Sequence, residues 1–284
     1  PAALSGCVGL KPSLGRIPMD LLPTTFDTLS HFGPLARSVP DAALFLAVTQ
    51  GPDDADILSL PPGPPIDPEN LAHPAGRRIA LSVDLGFYAL HPAVEANTRR
   101  AAEALRAEGC VVEEVALGWT RALVDLWTTH WAVFMAADFG GHRDRFRDRM
   151  DPALVALMDE GDRVSAVELR RLDHLRSEQW RDLAELFRRY DALLCPTMAL
   201  PAPPVGAGDA AFAADGPDGR FRGLDMTAVF NNVAPCPALS VPSGFAERLP
   251  TGVQIVGRRH DDRGVLEIGA TLERALALDM TPPI

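Results

Sequence analysis

Apolar positions recur along this chain with two periods, and the period changes mark its elements. From Arg78 to Val83 they alternate through β-favouring residues, which predicts a strand. His91-Pro92 then opens a helical segment with Val94, Thr98, Ala101 and Leu105 on one face, Gly109 stops it, and Cys110–Val115 reads as a second strand. Strands joined by a helical crossover of this length pair in parallel, so the pattern predicts the α/β class, with a mixed, largely parallel sheet flanked by helices. Ser38 ahead of Pro40 and Asp41, an apolar run and a closing Gly51-Pro52 form a complete set of helix signals. Between Trp119 and Phe139 the apolar residues crowd all faces, which predicts a helix buried on most sides. Ser165-x-x-Glu168 is a capping box, followed by Leu169, Leu172, Leu175, Leu183, Leu186 and Phe187 at helical spacing. Asp191–Thr197 reads as a short buried strand, and a last helix runs from Asp261 through Ala277.

The intervals between these elements have their own signatures. The first twenty residues hold Gly6, Gly9, Gly15, Pro12, Ser13 and Pro18 around a short apolar core, which predicts sharply bent backbone rather than a regular helix. Residues 59–76 carry six prolines and read as an extended loop. Residues 200–223, rich in Pro, Gly and Ala, read as an irregular loop. The mixed-sign run His142–Arg149 reads as a solvated face.

Composition narrows the classes. The chain has 284 residues, 47% of them hydrophobic, enough for a sizeable core. Its net charge of −11, with the charges interspersed, argues against nucleic acid or anionic membrane as a partner. Four widely spaced cysteines (Cys7, Cys110, Cys195, Cys236) suit a reducing, cytoplasmic setting better than a disulfide framework. No apolar run reaches membrane-spanning length. No zinc, P-loop, dinucleotide or G-x-S-x-G pattern occurs, so neither a metal nor a cofactor is expected. His31 has no acid or nucleophile beside it and reads as a structural histidine. Asp261-Asp262, at a helix start, is accounted for by capping and solvation.

The order of residues at the start carries a resemblance. Pro1-Ala2-Ala3, then Ser5-Gly6-Cys7-Val8-Gly9-Leu10-Lys11-Pro12-Ser13 and Gly15-Arg16, resembles the downstream half of the amidase signature, in which a Gly-Gly-Ser-Ile-Arg-x-Pro-Ala run leads into Gly-Leu-Lys-Pro. Gly-Pro-Leu-Ala-Arg-Ser-Val (33–39), Asp191–Thr197, Asp225–Gly244 and Leu249–Gly257 resemble later blocks of the same family of serine-dependent amide hydrolases. Asn232 occupies the position of the family's Asn before Pro-Ala-x-Ser-Val-Pro, whereas Ala234-Pro235 stands where members usually carry a Thr/Ala-Gly pair.

The resemblance implies that residues 1–284 are the C-terminal part of a single amidase signature domain. The family's nucleophilic serine falls before the position of Pro1, and its cis-Ser and Lys lie further upstream. The one lysine here, Lys11, belongs to the Gly-Leu-Lys-Pro turn, so no residue of this chain is assigned to the catalytic triad. The implied activity is hydrolysis of a small amide to acid and ammonia or amine through a serine acyl-enzyme. Two alternatives stand beside it: the ammonia-delivering component (the A chain) of a glutamine-dependent tRNA amidotransferase, and a catalytically silent fragment with a structural or binding role. Candidate substrate-contacting residues are Trp131, Phe134, Asp225, Asn232 and Cys236, with Cys7 and Gly9 supporting the nucleophile loop. Each has a plainer reading: an aromatic stripe is more often core than pocket, and Asp225 suits a helix cap. A small-molecule amide is the expected partner, and a homodimer is compatible with the sequence.

Overall fold

The computed structural model describes residues 1–208, 212 and 215–280. In chain order they form α1 (Ala2–Ser5), β1 (Val8–Lys11), β2 (Leu35–Ala36), α2 (Val39–Thr49), β3 (Arg78–Leu81), α3 (Pro92–Ala107), β4 (Val111–Glu114), α4 (Ala122–Phe146), α5 (Pro152–Gly161), α6 (Ala166–Leu186), β5 (Ala192–Pro196), α7 (Ala228–Asn231), β6 (Ala238–Ala246), β7 (Leu249–Gly257) and α8 (Asp262–Leu276). The strands make one seven-stranded sheet in the order β2-β1-β6-β7-β5-β3-β4.

Period-2 alternation divides this sheet into two faces. Val8, Leu10, Ile79, Leu81, Ala192, Leu194, Leu239, Val241, Val253 and Ile255 point to one core, which α2, α3 and α8 cover. Ala80, Leu193, Cys195, Ala238 and Val256 point to the other, together with Trp119, Leu183, Val229 and Phe230 from the segments around α4, α6 and α7. The result is a sheet between two helical layers, the α/β class that the strand–helix–strand pattern predicts.

The parallel share of the sheet is smaller than the crossover suggests. Among the described residues only β3 with β4 and β3 with β5 run parallel, and the other four pairings are antiparallel. For the longest of these pairings, β6 with β7, the reason is local. β6 and β7 are joined through Glu247 and Arg248, both at positive φ (49° and 71°), and a two-residue connection permits only a hairpin.

Helix starts follow their sequence signals. The Ser38 hydroxyl accepts from the Asp41 amide, and that of Ser165 accepts from the Glu168 amide. The opening stretch differs from expectation by containing a one-turn helix and a strand. Its sharp bends are at Gly6 (φ 68°) and Gly15 (φ 76°), and a Cβ on Gly15 would meet the Leu58 carbonyl oxygen at 2.1 Å. Residues 59–76 carry no helix or strand. Within the loop read at 200–223, residues 209–211, 213 and 214 lie outside the described residues.

Two expectations in the middle of the chain are corrected. α4 is not buried on most sides. Among its residues only Leu123, Leu126, Ala132, Gly140 and Arg143 are buried, because one layer of neighbours, mainly α5, α6 and α7, reaches it. Its aromatic residues stack on one another instead, Trp127 on Trp131 at 5.8 Å and Trp131 on Phe134 at 5.1 Å between centroids. Nor is His142–Arg149 simply a solvated face. Arg143 is buried and pairs with Asp162 at 2.7 Å and Asp159 at 3.2 Å, tying α4 to α5.

Asp262 is likewise more than a capping or solvated acid. It is 3% exposed. Its carboxylate accepts from the Ser13 amide (2.7 Å), the Ser13 hydroxyl (2.9 Å) and Arg16 Nε (3.0 Å), fixing the opening turn against the start of α8. Asp262→Ala leaves Arg16 buried without its counter-ion and is expected to lower the unfolding free energy by about 3–5 kcal/mol. Arg170→Ala removes an exposed partner of Asp173 and should cost less than about 1 kcal/mol. Urea titration of both variants measures the contrast, and equal small shifts would contradict the anchoring role.

Candidate active site

One row of residues runs across the sheet on the face toward α7: Gly9 pairs with Ser240, Ser240 with Gln254, and Gln254 with Cys195. The strands on which they lie are otherwise apolar on this face, so the side chains of Ser240 and Gln254 need partners. Ser240 Oγ lies 2.9 Å from Thr197 Oγ1, just beyond the end of β5. Gln254 Nε2 donates to the carbonyls of Pro196 (3.0 Å) and Met226 (3.1 Å).

Above this row is a cavity of about 190 Å³. Its floor is Gly9, Lys11, Ala238, Ser240, Gln254 and Thr197, and its walls are Pro1–Ala2, Gly33–Leu35 and Thr227, Phe230 and Asn231. Gly9 is required there by close approach: a Cβ would stand 2.6 Å from that of Ala2. The lining is mostly apolar, with neutral hydrogen-bonding groups from Thr197, Thr227, Asn231, Ser240 and Gln254.

The one charged side chain among the described lining residues is committed to backbone. Lys11 Nζ donates to the carbonyls of Cys236 (2.6 Å) and Ala234 (3.2 Å), with that of Pro12 at 3.5 Å. The Ala234 carbonyl also meets His31 Nε2 at 3.1 Å and the Leu14 amide at 3.1 Å. Lys11 therefore clamps the Ala234–Cys236 turn to the end of β1. Burial lowers its ammonium to about 8, against weaker upward pulls from Cys236 and Asp262. Burial, and then the Lys11 charge, bring His31 down to about 3, so this histidine is a neutral hydrogen-bonding group. Burial pushes the Cys236 thiol up to about 11 and the Cys195 thiol further, which leaves both as poor nucleophiles. Among the described residues no group of three or more His, Cys, Asp or Glu side chains is placed to hold a metal. No helix among them is long and apolar enough to cross a membrane.

Of the residues singled out in the sequence, Gly9 alone lines this cavity. Cys7 is half-buried in the turn between α1 and β1. Asp225 is not part of the lining; its Oδ1 accepts from both the amide and the hydroxyl of Thr227 (2.6 Å each), the capping arrangement. Asn232, 2% exposed, faces the other way, with Nδ2 on the Leu123 carbonyl at 3.0 Å. Cys236 contributes its carbonyl to Lys11 while its thiol lies in the core. Trp131 and Phe134 stay in the α4 stack, away from this lining.

Sequence reading misses Lys11, Thr197, Thr227, Asn231, Ser240 and Gln254 as cavity residues. The signal for two of them is present: Ser240 and Gln254 are polar interruptions on buried strands, and alternation places both on one face. For Lys11 the sign of a pH effect follows from its burial. Between pH 8 and the ordinary 10.5 the unfolded chain holds a proton that the folded one does not, so stability rises with pH across that window. Relative to Lys11→Met, the unchanged chain should gain up to about 3 kcal/mol from the lower to the upper limit. Denaturant midpoints over this range measure the gain, and a pH-independent difference would place the ammonium in solvent.

Comparison with known proteins converges on one family. The family model described as Amidase matches residues 1–266. An acylamidase of Rhodococcus erythropolis is 31% identical over 277 residues, covering 96% of this chain and 58% of its own length. An amidase of Pseudomonas putida is 29% identical over 286 residues, with 97% and 59% covered. A glutamyl-tRNA(Gln) amidotransferase component (its A chain) of Chloroflexus aggregans is 30% identical over 301 residues, with 96% and 60% covered. Among solved structures, a bacterial aryl acylamidase of the amidase signature family superposes with a TM-score of 0.84 at 28% identity, over 96% of this chain and 59% of that one. The 6-aminohexanoate cyclic dimer hydrolase in complex with substrate gives 0.81 at 27%, over 98% and 62%. The chain thus spans about three fifths of the length of these relatives. With the matched region running from Pro1 to Leu266 and the whole fold superposing, this chain belongs to the amidase signature family.

Proposed function

We propose that the protein to which this chain belongs hydrolyses a carbon–nitrogen amide bond to acid and ammonia or amine. An amide resists attack because resonance stabilises its carbonyl and its amine leaves poorly. The nucleophile must be activated, the oxyanion stabilised and the nitrogen protonated. In this reading a serine ahead of Pro1 attacks the carbonyl carbon, the amine departs with a proton, and water releases the acid from the acyl-enzyme. The observation that carries the reading is the meeting of the signature's blocks in one place. Pro1 and Ala2, which follow the nucleophile segment in the family pattern, line the same cavity as Gly9, Thr197, Asn231, Ser240 and Gln254.

The residues of this chain would then form the floor and one wall of the site. Their neutral lining favours an uncharged amide, since Lys11 is engaged by carbonyls and Asp225 by Thr227. The amidotransferase component is comparably similar in sequence. A net charge of −11 and an Asp225 carboxylate occupied by a helix cap favour the stand-alone hydrolase over that reading.

A fluorophosphonate probe and an aryl amide substrate test the proposal. Residues 1–284 alone should neither label nor release amine. The same chain joined to the segment encoded directly upstream should label at one serine and release aryl amine. Labelling of residues 1–284 alone, or a joined protein that hydrolyses no amide, would overturn it.

A further inference from the structure

A second cavity, of about 380 Å³, is walled by Asn232, Val233 and Pro235, the residues immediately after Phe230 and Asn231 of the first. Its opposite wall is α6, through Arg176 and Trp180, and Arg259 closes it from beyond β7. The volume falls within the range of small-molecule sites. The Trp180 ring with Val233 and Pro235 offers a flat apolar surface.

The charge in this cavity is mainly positive. Arg176 is held in place by the Asn232 carbonyl on Nε (3.0 Å) and by Asp173 (3.2 Å). Asp173 is the one carboxylate among the described lining residues, and it is already shared between Arg170 and Arg176. Arg259 is exposed and makes no hydrogen bond or ion pair among the described residues. A positioned guanidinium and a free one beside an aromatic plane match a planar ring that carries a negative group. Guanidinium binds carboxylate through paired N–H donors, and the ring covers the apolar surface.

We propose that this cavity binds an aromatic carboxylate, with the carboxylate on Arg259 and the ring against Trp180. The assignment does not depend on the amide-hydrolase reading. The cavity's residues lie outside the first cavity's lining.

Calorimetry and saturation-transfer NMR on the whole protein to which this chain belongs test the proposal with three probes: benzoate, its neutral isostere benzamide, and inorganic phosphate. Benzoate should bind at least tenfold more tightly than either of the others. Arg259→Gln, which removes no intramolecular hydrogen bond, should weaken benzoate at least tenfold with an unchanged melting temperature, and Trp180→Leu should weaken it as well. Absence of benzoate binding, or equal binding of benzamide, would remove the anion site. Equal binding of phosphate would remove the aromatic part of the assignment. Benzoate affinity unaffected by Arg259→Gln would place the ligand elsewhere and overturn the proposal.

Discussion

Taking a carboxylate out of water at the start of α8 requires donors to meet it, and the donors that meet Asp262 come from the opening turn of the chain. Ser13 supplies an amide and a hydroxyl, and Arg16 supplies a guanidinium. A buried charge tolerates little misplacement, because each donor withdrawn leaves desolvation uncompensated. The Asp262 contacts therefore set where the turn after β1 can lie. Arg16 also reaches the Pro61 carbonyl at 3.0 Å, so the proline-rich loop is drawn to the same anchor.

Lys11 continues that constraint toward the candidate site. Two residues before Ser13, its ammonium gathers the Ala234 and Cys236 carbonyls. The turn between α7 and β6 contains Pro235 and Pro237, which have no amide hydrogens to bind neighbouring acceptors. Side-chain cations act beside backbone amides from elsewhere in the chain: Arg176 on the Asn232 carbonyl, Lys11 on those of Ala234 and Cys236, with the Leu14 amide also on Ala234 and the His260 amide on Pro235. This is where the chain carries Ala-Pro in place of the pair usual in the family, and the carbonyls there are satisfied by distant residues. The cavity wall that begins at Phe230 owes its position to those contacts.

Much of the fold is legible in the sequence because local and global preferences agree. The Ser38 and Ser165 caps, the alternation in β3 and the stop at Gly109 each act within a few residues. α4 misleads because apolar residues on all faces signal burial only when neighbours exist on all sides, and stacking of Trp127, Trp131 and Phe134 on one another answers the same pattern. The site is less legible. Nothing in the sequence near Lys11 indicates that its acceptors lie more than 220 residues away. Asn232 and Asn231 are adjacent, and only the phase of a one-turn helix decides which of them faces the cavity. Asp262 looks like one of two acids at a helix start, yet Asp261 performs the capping and Asp262 points inward.

The pairing of β1 with β6 has a consequence for how the molecule is made. Gly9 meets Ser240 across the sheet, so β1 finds its neighbour β6 only after all the elements that lie between them in the chain have been synthesised. At roughly 5–20 residues per second that interval is on the order of ten seconds or more. During that time Val8 and Leu10 have no β6 to pair beside. The floor of the candidate cavity joins strands far apart in the sequence, and it cannot form before both have been made.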